Sequence, residues 1–146
     1  MAGAVSYLLT CLQCALHVTL TVQEHVHFTD WVVGHAHFVM FGTFSFFIFG
    51  FVQYLWPRLW GASGWYSESL NHWVFWIMAI GNLVMWISLM ISGLIQGSSW
   101  LGLEPFTKSI VASEPYWLVR SVTGTAIMAG YVLLVINMWK TARRPE

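Results

Sequence analysis

Four long apolar runs set the terms on which this chain can fold. They cover about residues 2–23, 31–56, 71–96 and 118–139; three hold no Lys, Arg, Asp or Glu, and the fourth holds only Arg120. A helix of about 20 such residues crosses a bilayer. The expected fold is therefore all-α: a polytopic membrane protein with four transmembrane helices, forming a single transmembrane region over residues 1–146. Composition agrees, since 8% of residues are charged against roughly 25% in a soluble protein. Ten tryptophans in 146 residues also exceed what one small core can bury. A net charge of zero excludes a basic nucleic-acid binder and an acidic disordered tail. Cys11 and Cys14 make no disulfide framework and read as small packing residues of the first span. Met1–Leu20 is a poor signal peptide, without a basic start or a clear small-residue cleavage site.

Charged and turn-forming residues gather between the runs. Glu24 to Asp30 reads as a short polar link in which Thr29 or Asp30 caps the second helix. Pro57 to Leu70 reads as a turn, and Ser98 to Trp117, with Pro105 and Pro115, as the longest link. Trp31, Trp56, Trp73, Trp100, Trp117 and Trp139 sit at span ends, where indoles meet headgroups. With four spans both termini share a side. That side carries Arg58, Lys140, Arg143 and Arg144 against Lys108 and Arg120 on the other, so both termini are expected in the cytoplasm.

Ionisable groups at membrane depth are costly and mark function. His72 lies at a span end and reads as interfacial; His25 stands evenly between that and a functional role. His17 lies about two turns inside its helix, where a helix-to-helix hydrogen bond is favoured over metal binding. His35 and His37 differ from these. Two residues apart on a helix, their side chains diverge by about 200°. They therefore cannot chelate one ion, which needs i, i+4 spacing. Two imidazoles on opposite faces suit two separate centres, and haem accepts a single axial His while hiding its remaining charge in an apolar ring. The plainer alternative is two hydrogen-bonding histidines, each with its own buried partner. Gly34, Ala36 and Gly42 leave room for a flat ring to approach the backbone. The run Phe38, Phe41, Phe44, Phe46, Phe47, Phe49 and Phe51 reads as lipid-facing or packing surface.

The stretch from His27 through Thr29-Asp30-Trp31 to Gly34-His35-Ala36-His37 resembles the tenth helix of subunit I of the haem–copper oxidases. It looks most like the C-family, the cbb-type cytochrome c oxidases. Pro57-Arg58-Leu59-Trp60-Gly61, Ser92-Gly93-Leu94-Ile95-Gln96-Gly97, Arg120-Ser121-Val122-Thr123-Gly124 and Asn137-Met138-Trp139 are similar too, so the resemblance covers about residues 10–140. It implies that the chain corresponds to the last four helices of a twelve-helix subunit. It further implies two haem b groups, with His35 the proximal ligand of the high-spin haem and His37 an axial ligand of the low-spin haem. By the same resemblance His27 lies near the haem propionates and an outer-side cation, and Arg120 is a candidate propionate partner, against plain interfacial snorkelling.

The resemblance also defines what these four helices lack. The low-spin haem takes a second His from another helix. A copper ion is expected in the full site, but its three histidines and the cross-linked tyrosine belong to earlier helices and are absent here. A glutamate that the C-family often carries on the helix before falls near Gln13, which keeps hydrogen bonding without a titratable proton. The implied setting is the bacterial cytoplasmic (inner) membrane, as an integral membrane protein. Its partners there are the rest of oxidase subunit I, c-type cytochrome subunits, cytochrome c as electron donor and membrane lipid, with no nucleic acid. The implied activity is electron transfer from cytochrome c to oxygen in aerobic respiration, with proton translocation by the full complex. A nitric oxide reductase catalytic-subunit fragment, a non-catalytic di-haem membrane electron carrier and a haem-free anchor are the alternatives. The chain is expected to be either a C-terminal fragment or one piece of a split subunit.

Overall fold

In the computed structural model, which describes residues 1–143, every regular element is a helix. These are α1 (Ala2–His17), α2 (Leu20–Val26), α3 (Asp30–His37), a π-helical segment (Phe38–Phe44), α4 (Ser45–Leu59), α5 (Glu68–Leu101) and α6 (Phe106–Ala142). The helix through α3, the π segment and α4 is continuous for 30 residues; α5 and α6 run for 34 and 37. All three are long and apolar enough to cross a membrane, and α1 with α2 makes a fourth span if that bent pair counts as one. The protein is an all-helical integral membrane protein. Arg144, counted above for topology, lies outside the described residues.

The spans differ from expectation at their ends, each for a local reason. The first expected span, 2–23, is broken: α1 stops at His17 and the chain bends by 100° into α2. Val18, Thr19, Thr21 and Val22 crowd the break with β-branched side chains, which favour helix less. Thr19 takes an extended backbone and donates its hydroxyl to the Leu16 carbonyl at 2.8 Å. The second span passes Pro57, which sits inside α4. Pro57 has no N–H for the carbonyl of Gln53, and the Trp65 indole donates to that carbonyl instead, at 3.1 Å. The expected link from Ser98 to Trp117 contracts to Gly102–Pro105, because α5 continues to Leu101 and α6 starts at Phe106 with Pro115 inside it. Pro105 immediately precedes the first helical residue, while Leu103 takes the left-handed backbone (φ 53°) that makes so short a reversal.

Helix α5 is the central element, packed on α3 through one face and on α6 through another. The approach to α2 and α3 depends on Gly93 and Gly97, one turn apart on α5. A β-carbon on Gly93 would lie 2.1 Å from the Trp31 nitrogen, and one on Gly97 would lie 1.8 Å from the His25 oxygen. Small residues at this spacing let membrane helices come together where no hydrophobic force separates helix from lipid. At the opposite end, Asn137 of α6 is fully buried and ties the start of α5. Its Oδ1 accepts from the Ser67 backbone N–H (3.1 Å) and its Nδ2 donates to the Ser67 carbonyl (2.9 Å) and to Asn71 Oδ1 (2.8 Å). Phe46, Phe49, Val74, Met78 and Leu134 pack above this knot. Phe44, Phe47 and Phe51 point outward, so the aromatic run is divided between packing and outer surface.

Two outcomes test these contacts. Gly93→Val should destabilise the helix assembly by about 1–3 kcal/mol, the usual cost of overpacking, whereas Gly50→Ala, with nothing within 4 Å of the added carbon, should be near neutral; thermal unfolding in detergent compares them. In the α5–α6 turn, hydrogen bonds from Lys108 and then Ser99 hold the Glu104 carboxyl below its ordinary value. With the folded value depressed, this pairing supports the turn at pH above the ordinary carboxylate range and is lost as pH falls through the lowered value. Hydrogen exchange in the first turn of α6 should quicken over that acid window, and Lys108→Ala should weaken the dependence, leaving only the part that the Ser99 hydroxyl supports.

Candidate functional site

The site is built outward from the start of α3. Val26 ends α2, and Phe28 then takes a left-handed backbone (φ 64°), rare for a bulky residue, with its ring stacked on His27 at 3.8 Å. Thr29 is the N-cap and accepts from the Trp31 N–H at 3.3 Å. Of the two caps expected, Thr29 takes the role, and Asp30 does something else.

Asp30 is buried, with 9% of its surface exposed, and its Oδ2 accepts three hydrogen bonds from two other helices. Ser92 Oγ donates at 2.6 Å, Gln96 Nε2 at 2.9 Å, both from α5, and the Trp117 indole donates at 2.7 Å from α6. The Asp30 backbone N–H, one of the donors a helix start leaves without an internal partner, goes to Gln96 Oε1 at 2.7 Å. Gln96 Nε2 also donates to the fully buried Ser113 at 2.9 Å. One carboxylate thus joins α3, α5 and α6. Sequence reasoning placed Trp117 only in an interfacial belt and gave Gln96 and Ser92 no role. The available signal was polar residues at Ser92 and Gln96, four apart on one face of an apolar span.

His35 and His37 follow on the same helix and meet different surroundings. His35 faces α1: its ring stands edge-on to His17 with centroids 5.1 Å apart, and Cys14 Sγ lies 3.4 Å from its Nε2. His35 Nδ1, His17 Nε2 and Trp31 Nε1 are all buried without a hydrogen-bond partner along this seam. For His37, among the described residues, no hydrogen bond or ring contact runs to α1. Its Nδ1 donates to the Val33 carbonyl at 2.7 Å, and its ring lies 5.8 Å from that of Phe41. That bond selects the tautomer whose Nε2 keeps a free lone pair, the form in which a metal-ligating imidazole is usually held. As donors, both residues fit an iron centre: His37 through its oriented Nε2, His35 because neither ring nitrogen is committed to a strong hydrogen bond.

The π-helical segment begins immediately after His37, and no sequence pattern announced it. Such segments gather at functional sites. Its Thr43 hydroxyl is buried without a partner, while Ser45 Oγ, just beyond it, donates to the Met40 carbonyl at 2.9 Å.

Other expectations change. Gly34 and Gly42 do not leave space for a ring. A β-carbon on Gly34 would lie 2.9 Å from Leu89 Cβ, and one on Gly42 would lie 2.6 Å from Asn82 Nδ2, so α5 occupies that room. Gln13 faces α5, donating to Met90 Sδ (2.9 Å) and accepting from the Trp86 indole (3.3 Å); the residues of α1 against His35 are Cys14 and His17. His27 and His25 are exposed, and His72 accepts from the Trp76 indole at 3.0 Å on an outer face. Arg120 is half-buried one turn beyond Trp117, with no carboxylate partner among the described residues. No group of three or more His, Cys, Asp or Glu among the described residues is placed to hold a metal ion.

Residues 1–126 match the family described as Cytochrome C and Quinol oxidase polypeptide I. The chain belongs to that family. It is 33% identical over 128 residues to "Cytochrome c oxidase subunit 1" of Rhodobacter capsulatus, covering 82% of this chain and 24% of that protein. To "Cytochrome c oxidase subunit 1 homolog, bacteroid" of Bradyrhizobium diazoefficiens it is 36% identical over 128 residues, 82% of this chain and 23% of the relative. To "Cbb3-type cytochrome c oxidase subunit CcoN1" of Stutzerimonas stutzeri it is 29% identical over 130 residues, 84% of this chain and 27% of the relative. The chain therefore spans about a quarter of the length of the curated relatives it matches.

The clamp around Asp30 makes its own prediction. Gln96→Leu removes both a donor to the carboxylate and the acceptor of the Asp30 N–H, and should cost roughly 2–4 kcal/mol, as expected for a buried charged acceptor left short of donors. Chemical denaturation in detergent measures it, with Gln23→Leu, at a partly exposed position of α2, as the mild comparison.

Proposed function

We propose that this chain forms part of the catalytic subunit of a cbb-type cytochrome c oxidase, corresponding to its last four helices. Together with the rest of subunit I and c-type cytochrome subunits it would pass electrons from cytochrome c to oxygen. In this reading His35 holds the high-spin haem b and His37 the low-spin one. The observation that carries it is the pair of unlike surroundings two residues apart on α3: His35 against α1, and His37 locked by Val33 with Nε2 free. The bound haems would supply the redox chemistry, electron entry at one face and oxygen reduction at the other. Of the chain's own residues, the Val33 carbonyl orients the His37 imidazole, and His17 and Cys14 of α1 lie against that of His35.

Arg120 supports the same reading, since a half-buried guanidinium without a carboxylate suits a propionate. His27, at the start of the α3 approach, is assigned to that propionate end. The cbb subtype draws on the Thr29-Asp30-Trp31 approach and on the relative whose name carries it. The bacterial inner membrane, with the end bearing Arg58, Lys140 and Arg143 toward the cytoplasm, follows from the family's bacterial relatives and the distribution of positive charge.

Optical spectra of the reduced, carbon-monoxide-treated complex test the assignment. His35→Ala should remove the high-spin, carbon-monoxide-binding signal and keep part of the low-spin one; His37→Ala should do the reverse. Equal loss of both signals from either change would defeat the assignment of one haem to each face.

A further inference from the structure

Asp30 is the one carboxylate within the three long membrane-spanning helices that is tied into their interior, and nothing so far uses its charge. Three donors converge on a single oxygen, Oδ2, an arrangement that suits the ionised, acceptor-only form of a carboxylate. None of these donors carries a charge, and no Lys, Arg or His among the described residues pairs with Asp30. The negative charge is thus solvated by neutral dipoles and not cancelled. It sits at the start of the short helix that bears His35 five residues on and His37 seven residues on, about 7–11 Å along the axis.

We infer that Asp30 is a positioning residue with a second, electrostatic effect: its fixed charge favours the oxidised state of the iron centres held by His35 and His37 and so lowers their reduction potentials. This rests on the haem assignment proposed above. A ferric centre carries one more positive charge than a ferrous one, so a nearby buried anion stabilises the oxidised form by Coulomb attraction. With an effective dielectric near 20 and separations on the order of 10–15 Å, the oxidised-to-reduced ratio changes by roughly six- to seventeenfold. The effect is larger at His37, which seven residues on falls on the same face of the helix as Asp30, whereas His35 lies about 140° round it.

Redox titration of each haem in the whole purified complex, read optically, separates this effect from a purely mechanical clamp. Asp30→Asn keeps the shape and an acceptor oxygen but removes the charge. Both haems should become easier to reduce by roughly six- to seventeenfold in ratio, where tenfold is 59 mV for a one-electron couple. Ser92→Ala weakens the clamp while leaving the charge, and both potentials should stay near wild type. Trp117→Arg, at a half-buried position, brings a guanidinium toward the same oxygen and should shift both potentials in the direction of Asp30→Asn. If Asp30→Asn does not load haem, Trp117→Arg alone decides. Unchanged potentials in the loaded charge variants, equal shifts in Ser92→Ala, or failure of both charge variants to load haem while Ser92→Ala loads it would overturn the inference in favour of a clamp alone. The His35→Ala and His37→Ala spectra test the underlying assignment separately, so failure of one is not mistaken for failure of the other.

Discussion

A polar group inside an apolar span must find its partners within the protein, and the carboxylate of Asp30 is where that demand is greatest. Lipid offers it no hydrogen bonds, and leaving a buried acceptor unmet costs far more than a met one contributes. Ser92, Gln96 and Trp117 meet it, and in doing so they fix which faces of α5 and α6 can turn toward α3. The backbone must then come close enough for these short side chains to reach, which explains why glycines stand at 93 and 97 where α5 crosses Trp31 and His25. The orientation of α3, and with it the direction of both imidazoles, follows from that closure.

The other end of the assembly is held by a different device. Asn137 offers a donor and an acceptor from one amide and spends them on the backbone of Ser67 and the side chain of Asn71. Neutral groups suffice there because only a loop is being tied to a helix. The Trp56 indole adds a bond to the Met138 carbonyl at 2.9 Å. Two polar knots, one at each end of α5, thus hold helices whose apolar middles have little reason to prefer one another over lipid.

Much of the helical framework was legible in the sequence because the length of an apolar run is a direct physical requirement of the bilayer. Helix ends were less so. Pro115 reads as a breaker, yet α6 carries it inside, and Pro57 is tolerated because Trp65 reaches the carbonyl that proline leaves open. The break after His17 was hidden because Val and Thr are as apolar as the bilayer asks while favouring an extended backbone. At the site, the spacing of His35 and His37 was readable from helical geometry alone. The partners of Asp30 were not, since hydrogen bonds between residues 62 to 87 positions apart leave no local pattern. The small residues Gly34 and Gly42 were visible, but what they admit could not be known until α5 was seen against them.

The π-helical turn after His37 gives this span a mechanical property of its own. Its hydrogen bonds skip one residue more than those of the α-helix on either side, so Phe38–Phe44 stores one residue of slack. A deletion there would be absorbed by tightening the turn, and the helix above, with its two imidazoles, would keep its register against α1 and α5. The segment thus works as a slip joint: the upper half keeps its register against α1 and α5, and the lower half, packed through Phe46 and Phe49 and tied to α6 by Trp56, keeps its own.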